Sequence, residues 1–247
     1  MKNYTIAITT FSKRYDFIVK LLPQIREHTD NKILLIVNGE KDGAFDDGYR
    51  QKVLRLCSQF YDVYPIFFIE TRGLSKLWNT AIVHSHEDYL LILNDDLEIT
   101  TSDIFNKINE HINSDEFTGL TRINRSFSHY IVNKEVMEKI GYFDERLMGF
   151  GEEDGDMAYR LLKAKLDVVD IHANGVVNIV SNTRHDHVKS GIGKYSHFNR
   201  DFIYNQKYVT DFESPYRGMF DTPMAEKLEN LVQYPYETFF RENKSKL

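Results

Sequence analysis

Short apolar segments alternate with amphipathic segments through the first half of the chain. Four of these segments have the length and the β-branched and aromatic content of buried strands: they are 4–10, 32–39, 64–70 and 89–93. Three segments between them space their apolar residues as helices do: they are 14–28, 49–61 and 74–85. This alternation predicts an α/β fold with a doubly wound, mostly parallel sheet.

The second half of the chain follows a less regular pattern. We predict helices near 102–113, at 134–140 and at 152–165, with a short strand near 128–132. The segment 189–202 contains glycines, and we interpret it as a loop that could cover a bound ligand.

Prolines interrupt the pattern from Asp211 onward, and several aromatic residues lie among them. We expect one domain over 1–210. The remainder, 211–247, is predicted to be a helical or irregular extension that packs on this domain or on a partner, since its aromatic residues would otherwise be exposed.

Composition excludes several classes of protein. The chain has 31 Lys and Arg residues against 37 Asp and Glu residues, a net charge of −6, so it has no overall basic field for nucleic acid. Cys57 is the single cysteine, which rules out an intrachain disulfide and a thiolate metal cluster. No apolar run approaches the ~20 residues of a transmembrane helix. We expect a cytoplasmic protein, and peripheral attachment to the inner face of a membrane stays open.

Polar residues follow the predicted strands where parallel strands present their ligand-binding ends. Thr10, Asn38 and Arg72 occupy three such ends, and the segment 94–96, Asn-Asp-Asp, follows the strand 89–93. Two adjacent carboxylates suit a hard divalent cation such as Mg²⁺ or Mn²⁺. The alternative interpretation is a solvated turn, because Asn and Asp are also common turn residues.

A second group of acids crowds the start of the predicted helix 152–165. Glu152, Glu153, Asp154 and Asp156 occupy four of five consecutive positions. Acids are favourable in the first turn of a helix, which accounts for one or two of them. Four acids after an aromatic and glycine-containing turn also suit a general base, since neighbouring negative charges raise the pKa of a carboxyl group.

Three motifs resemble those of GT-A-fold glycosyltransferases of family 2. The stretch "LNDDLEI" is similar to their DXD-type metal motif, and "RGLSKLWNTAI" is similar to the helix that precedes it. The stretch "GYFDERLMGFGEEDGDMAYRL" resembles the acidic segment of family 2 and of the β-1,4-galactosyltransferases. The motifs occur in the family's order, and the resemblance covers about residues 4 to 187.

The resemblance implies a GT-A fold and a set of site residues. Asp96 matches the principal metal ligand, His185 matches the histidine that completes the metal site, and His187 is the second choice for that place. Asp154 matches the catalytic base, while Glu153 and Asp156 match acceptor-binding positions. The implied donor-binding residues are Thr10, Asn38, Arg72, Asn79, Asn94 and Asp95. Asn38 and Asn94 stand where the family usually has aspartate.

The function implied is an inverting, metal-dependent glycosyltransferase that uses Mn²⁺ or Mg²⁺. Its donor would be a nucleotide sugar, with a UDP-sugar favoured, and its acceptor a glycan or another hydroxyl compound. Two alternatives stay open. A non-catalytic nucleotide- or carbohydrate-binding relative would use the acids only as a helix cap, and a phosphoryl hydrolase would use Asp95, Asp96 and the two histidines.

Overall fold

The computed structural model describes residues 2–11, 14–40, 46–114, 117, 119–179 and 192–207. The predicted metal ligands His185 and His187, and the extension that begins at Asp211, lie outside the described residues.

Helices and strands alternate in the first half of the chain, as the hydrophobic pattern predicts. The strands are β1 (Tyr4–Thr10), β2 (Ile33–Val37), β3 (Val63–Phe67), β4 (Tyr89–Asn94), β5 (Leu97–Ile99), β6 (Leu120–Ile123), β7 (Ser126–Asn133), β8 (Val168–Ile171) and β9 (Val176–Asn178). The helices are α1 (Tyr15–His28), α2 (Asp47–Cys57), α3 (Leu74–His84), α4 (Asp103–Ile112), α5 (Lys134–Ile140), α6 (Glu153–Lys163) and α7 (Ile192–Phe202), and α7 continues into a π-helical turn, Ile203–Lys207.

The central sheet of the described chain has seven strands in the order β3-β2-β1-β4-β7-β6-β8. The first four run parallel, β7 is antiparallel to both of its neighbours, and β6 and β8 run parallel to each other. This arrangement confirms the predicted Rossmann-like, mostly parallel sheet. The strand β7 runs antiparallel within it, and the sheet continues beyond β7 with β6 and β8.

Two apolar layers cover the two faces of the sheet. Successive strand residues point to opposite faces, so Ile6 and Ile8 belong to the apolar layer that includes α1, α2 and α4, while Ala7 belongs to the layer that includes α3, α5 and α6. The strands β1 and β2 are buried throughout. Burial on both faces explains why β2 is a continuous apolar run in the sequence, without alternation.

A small second sheet forms beside the end of β4. β5 pairs with β9 in antiparallel register, Leu97 opposite Asn178. The next backbone N–H along the chain, that of Ile179, donates to the carbonyl of Asp96 at 2.8 Å. The chain is therefore anchored at Asp96 immediately before the segment that contains His185.

The second half of the chain departs from the sequence prediction in two ways. The strands β5, β6, β8 and β9 were not predicted, because segments of three or four residues are too short for a clear period. The segment 192–202, predicted as a loop, is the helix α7. Across the part of the chain that the structure describes, no helix is long and apolar enough to cross a membrane.

Candidate functional site

The paired carboxylates of Asp95 and Asp96 lie in the tight turn after β4, at the carboxyl end of the sheet. Asp95 is 1% exposed. Its Oδ2 accepts a 2.7 Å hydrogen bond from the hydroxyl of Thr10, at the end of β1, and its Oδ1 is 2.9 Å from Nη1 of Arg14. The side chain is thus held by groups from β1 and from the start of α1.

Asp96 is held less completely than Asp95. Its Oδ2 accepts from Nη2 of Arg14 at 3.3 Å. Its Oδ1 is buried without a hydrogen-bond donor among the described residues. A buried carboxylate oxygen without a partner is costly, so this atom is a place where a bound cation would supply a missing interaction.

The electrostatic environment of Asp95 is unusual for a strand-end aspartate. Burial raises the pKa of Asp95 to about 7, although Arg14 and the Thr10 hydroxyl act in the opposite direction. The adjacent charge of Asp96 raises the pKa further. A positive charge at this position would favour the ionised pair.

The described residues fit part of a divalent-metal site. Two carboxylates at a strand end are the hard oxygen ligands that Mg²⁺ and Mn²⁺ prefer. Within the described ranges, no group of three or more histidine, cysteine, aspartate or glutamate side chains could hold a metal ion. The remaining predicted ligands, His185 and His187, lie beyond those ranges.

The predicted donor-binding residue Asn38 uses its amide to join two segments of backbone. Its Nδ2 donates to the carbonyl of Arg72 at 2.9 Å, and its Oδ1 accepts from the backbone N–H groups of Arg72 and Gly39. Asn38 is buried. These contacts place Arg72 at the site edge, and they do not support direct contact between Asn38 and a nucleobase.

Asn79 similarly holds a turn and faces away from solvent. Its Nδ2 donates to the carbonyl of Phe143 at 2.7 Å and to Oε1 of Glu145 at 3.0 Å, while its Oδ1 accepts from the N–H of Phe143. Glu145 also lies 3.3 Å from Nζ of Lys76. These contacts anchor the segment 143–145 to α3 and do not support a donor-binding role for the Asn79 amide. Asn94, by contrast, lies at the carboxyl end of β4, where its side chain accepts a hydrogen bond from the hydroxyl of Thr9.

The acidic turn that precedes α6 has an unusual backbone. Gly149 and Gly151 have φ values of 62° and 110°, and Glu152 has a φ of 75° although it is not a glycine. The absence of a Cβ at Gly149 lets the ring of Tyr195, on α7, pack where that atom would be. Non-glycine residues in this region of φ and ψ are strained, and such strain is concentrated at functional sites.

The predicted base Asp154 is exposed at the first turn of α6. Its Oδ1 accepts a 2.9 Å hydrogen bond from the backbone N–H of Gly155. An exposed carboxylate at a helix start is accessible to an acceptor. This geometry is compatible with a general base and also with a helix cap.

Glu153, beside the predicted base, is buried. Burial raises the pKa of Glu153 to about 8, and the neighbouring charge of Asp154 acts in the same direction. Glu153 and Asp154 also act on Tyr130 of β7: the pKa of Tyr130 is well above its ordinary value, mainly through burial and further through these two charges. Since Tyr130 pairs with Ile92 of β4, the acids lie beside the strand that ends at Asp95 and Asp96.

Asp156, predicted to contact the acceptor, lies in a buried ionic cluster with Asp144. Nζ of Lys207 lies 2.6 Å from Asp156 and 2.7 Å from Asp144. Arg160 also binds Asp156, and Arg146 binds Asp144. Burial opposes ionisation, but these cations hold the pKa of both carboxyls below its usual range. Asp156 is fully buried, so these contacts do not support an acceptor contact.

Helix α7 fastens the acidic turn from the other side. The amide of Asn199 accepts from the N–H of Met148 at 2.6 Å and donates to the carbonyls of Met148 and Gly151. Arg200 donates to Glu152 at 2.7 Å. Sequence reasoning did not identify Arg14, Asn199 or Lys207, because each acts on residues far away along the chain.

Two contacts bring the acidic turn and the carboxylate pair to the same edge of the sheet. The ring of Phe150 meets that of Phe11, which follows Thr10, at 6.3 Å between centroids. The backbone N–H of Leu74 donates to the carbonyl of Gly149. The described residues therefore place Asp96 and the 149–154 turn in one candidate site, at the carboxyl ends of β1 and β4.

The sequence matches a known protein family. The family model described as glycosyl transferase family 2 matches residues 5–162. No curated protein sequence matches the chain closely enough to count as a relative.

Solved structures share the fold at low sequence identity. The chain is similar to the mannosyltransferase PcManGT from Pyrobaculum calidifontis, in complex with GDP-Man and Mn²⁺, at 13% identity and a TM-score of 0.64, covering 99% of this chain and 73% of that one. It is also similar to glucosyl-3-phosphoglycerate synthase from Mycobacterium tuberculosis, in complex with Mn²⁺, UDP and phosphoglyceric acid, at 10% identity and a TM-score of 0.59, covering 85% and 80%. A third is the catalytic domain of Drosophila β1,4-galactosyltransferase 7 with xylobiose, at 13% identity and a TM-score of 0.51, covering 75% and 73%.

Proposed function

Because the chain belongs to glycosyl transferase family 2, we propose that it is an inverting, metal-dependent glycosyltransferase that moves a sugar from a nucleoside diphosphate to an acceptor hydroxyl. The observation that supports this most is the meeting of two acidic features at one edge. The partly satisfied pair Asp95–Asp96 lies at the end of β4. The exposed Asp154 lies in the first turn of α6, and the turn before this helix packs through Phe150 on Phe11, the residue after β1.

We assign binding of the nucleotide-sugar donor to the carboxyl ends of the strands. Asp96, whose buried Oδ1 has no hydrogen-bond donor in the described part of the chain, is the principal ligand for Mn²⁺ or Mg²⁺, and His185 is the proposed further ligand, with His187 as second choice. The hydrogen bond from Ile179 to the carbonyl of Asp96 supports this, since it holds the chain beside Asp96 six residues before His185. A divalent cation bound here would neutralise the charge of the departing diphosphate.

The other donor contacts come from residues at the same edge. We assign Thr10, Arg72, Asn94 and Asp95 to the nucleotide and its phosphates. Asn38 and Asn79 act by holding the backbone of neighbouring segments. PcManGT and the M. tuberculosis synthase were solved with GDP-Man and with UDP respectively, so UDP, the favoured nucleotide, is tested beside GDP.

Asp154 is assigned the proton transfer. As the acceptor oxygen forms its bond to the anomeric carbon, the bond from that carbon to the diphosphate oxygen breaks and the diphosphate leaves with the electron pair. Asp154 accepts the proton of the acceptor hydroxyl during this attack. One displacement inverts the anomeric centre. Glu153 is the proposed acceptor-binding neighbour, whereas Asp156 supports α6 through Lys207 and Arg160.

The variant Asp154→Asn tests this assignment. Removing a general base while keeping the shape of the side chain lowers transfer by about 10²-fold or more and leaves nucleotide affinity near that of the wild type. The measurements are the rates of donor consumption and of nucleoside diphosphate release from UDP- and GDP-sugars, with and without an acceptor, and nucleotide affinity by calorimetry.

The same assays separate the alternatives. A transferase consumes donor faster when an acceptor is present, a phosphoryl hydrolase consumes it at the same rate without acceptor, and a binding module does not consume it. Near-native transfer by Asp154→Asn would eliminate Asp154 as the base. The matched control is Asp103→Asn, an acid in the first turn of α4, which should leave transfer unchanged.

A further inference from the structure

The guanidinium of Arg14 bridges the two carboxylates that the proposed function assigns to the metal site. Nη1 is 2.9 Å from Oδ1 of Asp95, and Nη2 is 3.3 Å from Oδ2 of Asp96. One cation therefore stands against two adjacent carboxylates. From this geometry we infer that Arg14 is the internal counter-cation of the Asp95–Asp96 pair, and that a divalent cation must displace it in order to bind.

The contacts of Arg14 with the two carboxylates are of a kind that a metal ion could replace. Arg14 contacts each carboxylate through a single nitrogen, and its contact with Asp96 is long. By comparison, Arg122 binds Asp170 through two parallel bonds of 2.9 and 2.7 Å, the fork arrangement that is stronger. Oδ1 of Asp96 has no donor within the ranges that the structure describes, so Arg14 satisfies the pair incompletely.

The position of Arg14 allows it to move. It precedes the first turn of α1, its side chain is 28% exposed, and its guanidinium lies 4.7 Å from the ring centroid of Phe17. A side chain with this exposure has a path towards solvent, away from the carboxylates. The ring of Phe17 already contacts the guanidinium in the bridging position.

Charge makes binding of the two cations mutually exclusive. A divalent cation on Asp96 would lie close to a guanidinium that contacts the same carboxylate, and like charges at such a distance repel strongly. Arg14 thus lowers the affinity of the free protein for the metal ion alone. A nucleoside diphosphate brings negative charge for both cations, so metal and nucleotide should strengthen each other's binding.

This inference rests on the proposed function, and it is tested by Mn²⁺ binding rather than by turnover. The probe is Mn²⁺ alone, titrated into the full chain at pH 8 and followed by calorimetry or by the resonance of free Mn²⁺. We expect Arg14→Gln to bind Mn²⁺ about tenfold more tightly than the wild type or better, because a nearby like charge is gone. We also expect added UDP or GDP to raise Mn²⁺ affinity more in the wild type than in this variant.

The control is Arg122→Gln. Arg122 is 29% exposed, almost the same as Arg14, and pairs with an aspartate outside the site. Its loss should leave Mn²⁺ affinity at the wild-type value. If Arg14→Gln does not fold, as judged by circular dichroism and thermal unfolding, Arg14→Lys serves instead. An ammonium cannot reach both carboxylates as the guanidinium does, so that variant should bind Mn²⁺ more tightly than the wild type by a smaller factor.

The outcomes separate this inference from the function on which it rests. Mn²⁺ affinity that is unchanged or weaker in Arg14→Gln, while the wild type binds Mn²⁺ in the presence of nucleotide, overturns the role of Arg14 alone. A wild type that binds no Mn²⁺ even with saturating UDP or GDP overturns the metal-dependent function, and the role of Arg14 with it.

Discussion

Two pairs of aspartates in this molecule are each bridged by one basic side chain, and the two bridges differ in depth. Arg14 joins Asp95 and Asp96 with a side chain that is 28% exposed. Lys207 joins Asp144 and Asp156 with a side chain that is 1% exposed. Among the residues that the structure describes, the first bridge leaves one carboxylate oxygen without a donor, whereas the second adds Arg146 and Arg160.

This difference separates a binding site from a structural element. The Asp144–Asp156 pair is fully buried and is contacted by three cations, which are Lys207, Arg146 and Arg160. The Asp95–Asp96 pair is undersupplied with charge at an edge that a ligand can reach. Acidic residues in a sequence therefore indicate a function only when the basic side chains that pair with them are known.

The largest effect is expected from breaking the buried bridge. Lys207→Met keeps the apolar stem and removes the charge, which leaves two buried carboxylates to share Arg146 and Arg160. Breaking a buried pair in this way costs about 3–5 kcal/mol of unfolding free energy. Urea unfolding at pH 7.5 measures it.

The exposed bridges provide the matched comparison. In the metal-free protein, Arg122→Gln should cost at most about 1 kcal/mol, because both members of its pair are partly exposed. Arg14→Gln should cost more than Arg122→Gln and less than Lys207→Met, because Asp95 is buried whereas Arg14 is partly exposed. A Lys207→Met variant that lost no more than these two would show that the buried cluster is dispensable, and the comparison between the two pairs would fail.

The periodic part of the fold could be predicted from sequence, and the part that depends on distant contacts could not. Strands β2 and β4 are almost continuous apolar runs, and β1 is buried along its whole length, so their existence and their common direction follow from the pattern. The reversal of β7 and the short strands β6 and β8 beyond it carry no such pattern. Thr121 and Arg122 separate the two apolar residues of β6, and Asp170 interrupts the three apolar residues of β8.

The candidate site divides in the same way. Asp95 and Asp96 are recognisable because they end an apolar strand, and Asp154 because it begins an acidic helix. Asn199 is 48 to 51 residues from the turn that it holds, and Lys207 is 51 residues from Asp156. Nothing local in the sequence marks these residues. Asn79 is predicted as a donor contact from the resemblance of the segment 72–82 to a family motif, and the contact of its amide with the 143–145 turn has no signal in that segment.

A smaller effect is expected at Glu153, which lies between the two regions. Its pKa in the folded protein is raised from 4.5 to about 8, mainly by burial. Such a group stabilises the fold fully at pH below about 4.5, and this contribution is lost as the pH rises to 8. Glu153→Gln removes the dependence, so the unfolding temperature of the wild type should fall relative to the variant between pH 5 and pH 9.

The control for Glu153 is Glu98→Gln, on the exposed side of β5. Its unfolding temperature should run parallel to that of the wild type over the same pH range. A constant difference between Glu153→Gln and the wild type from pH 5 to pH 9 would show that Glu153 does not hold a proton in the folded protein.

The claim that the Asp95–Asp96 pair is a cation-dependent donor site is tested most directly by nucleotide affinity. UDP and GDP are titrated calorimetrically into the wild type and Asp96→Asn, each in Mn²⁺ and in chelator. We predict that chelator weakens binding to the wild type by about tenfold or more, and that Asp96→Asn in Mn²⁺ resembles the wild type in chelator, because an amide lacks the charge that the cation needs. Equal affinity in Mn²⁺ and in chelator, or wild-type affinity in Asp96→Asn, would contradict the account.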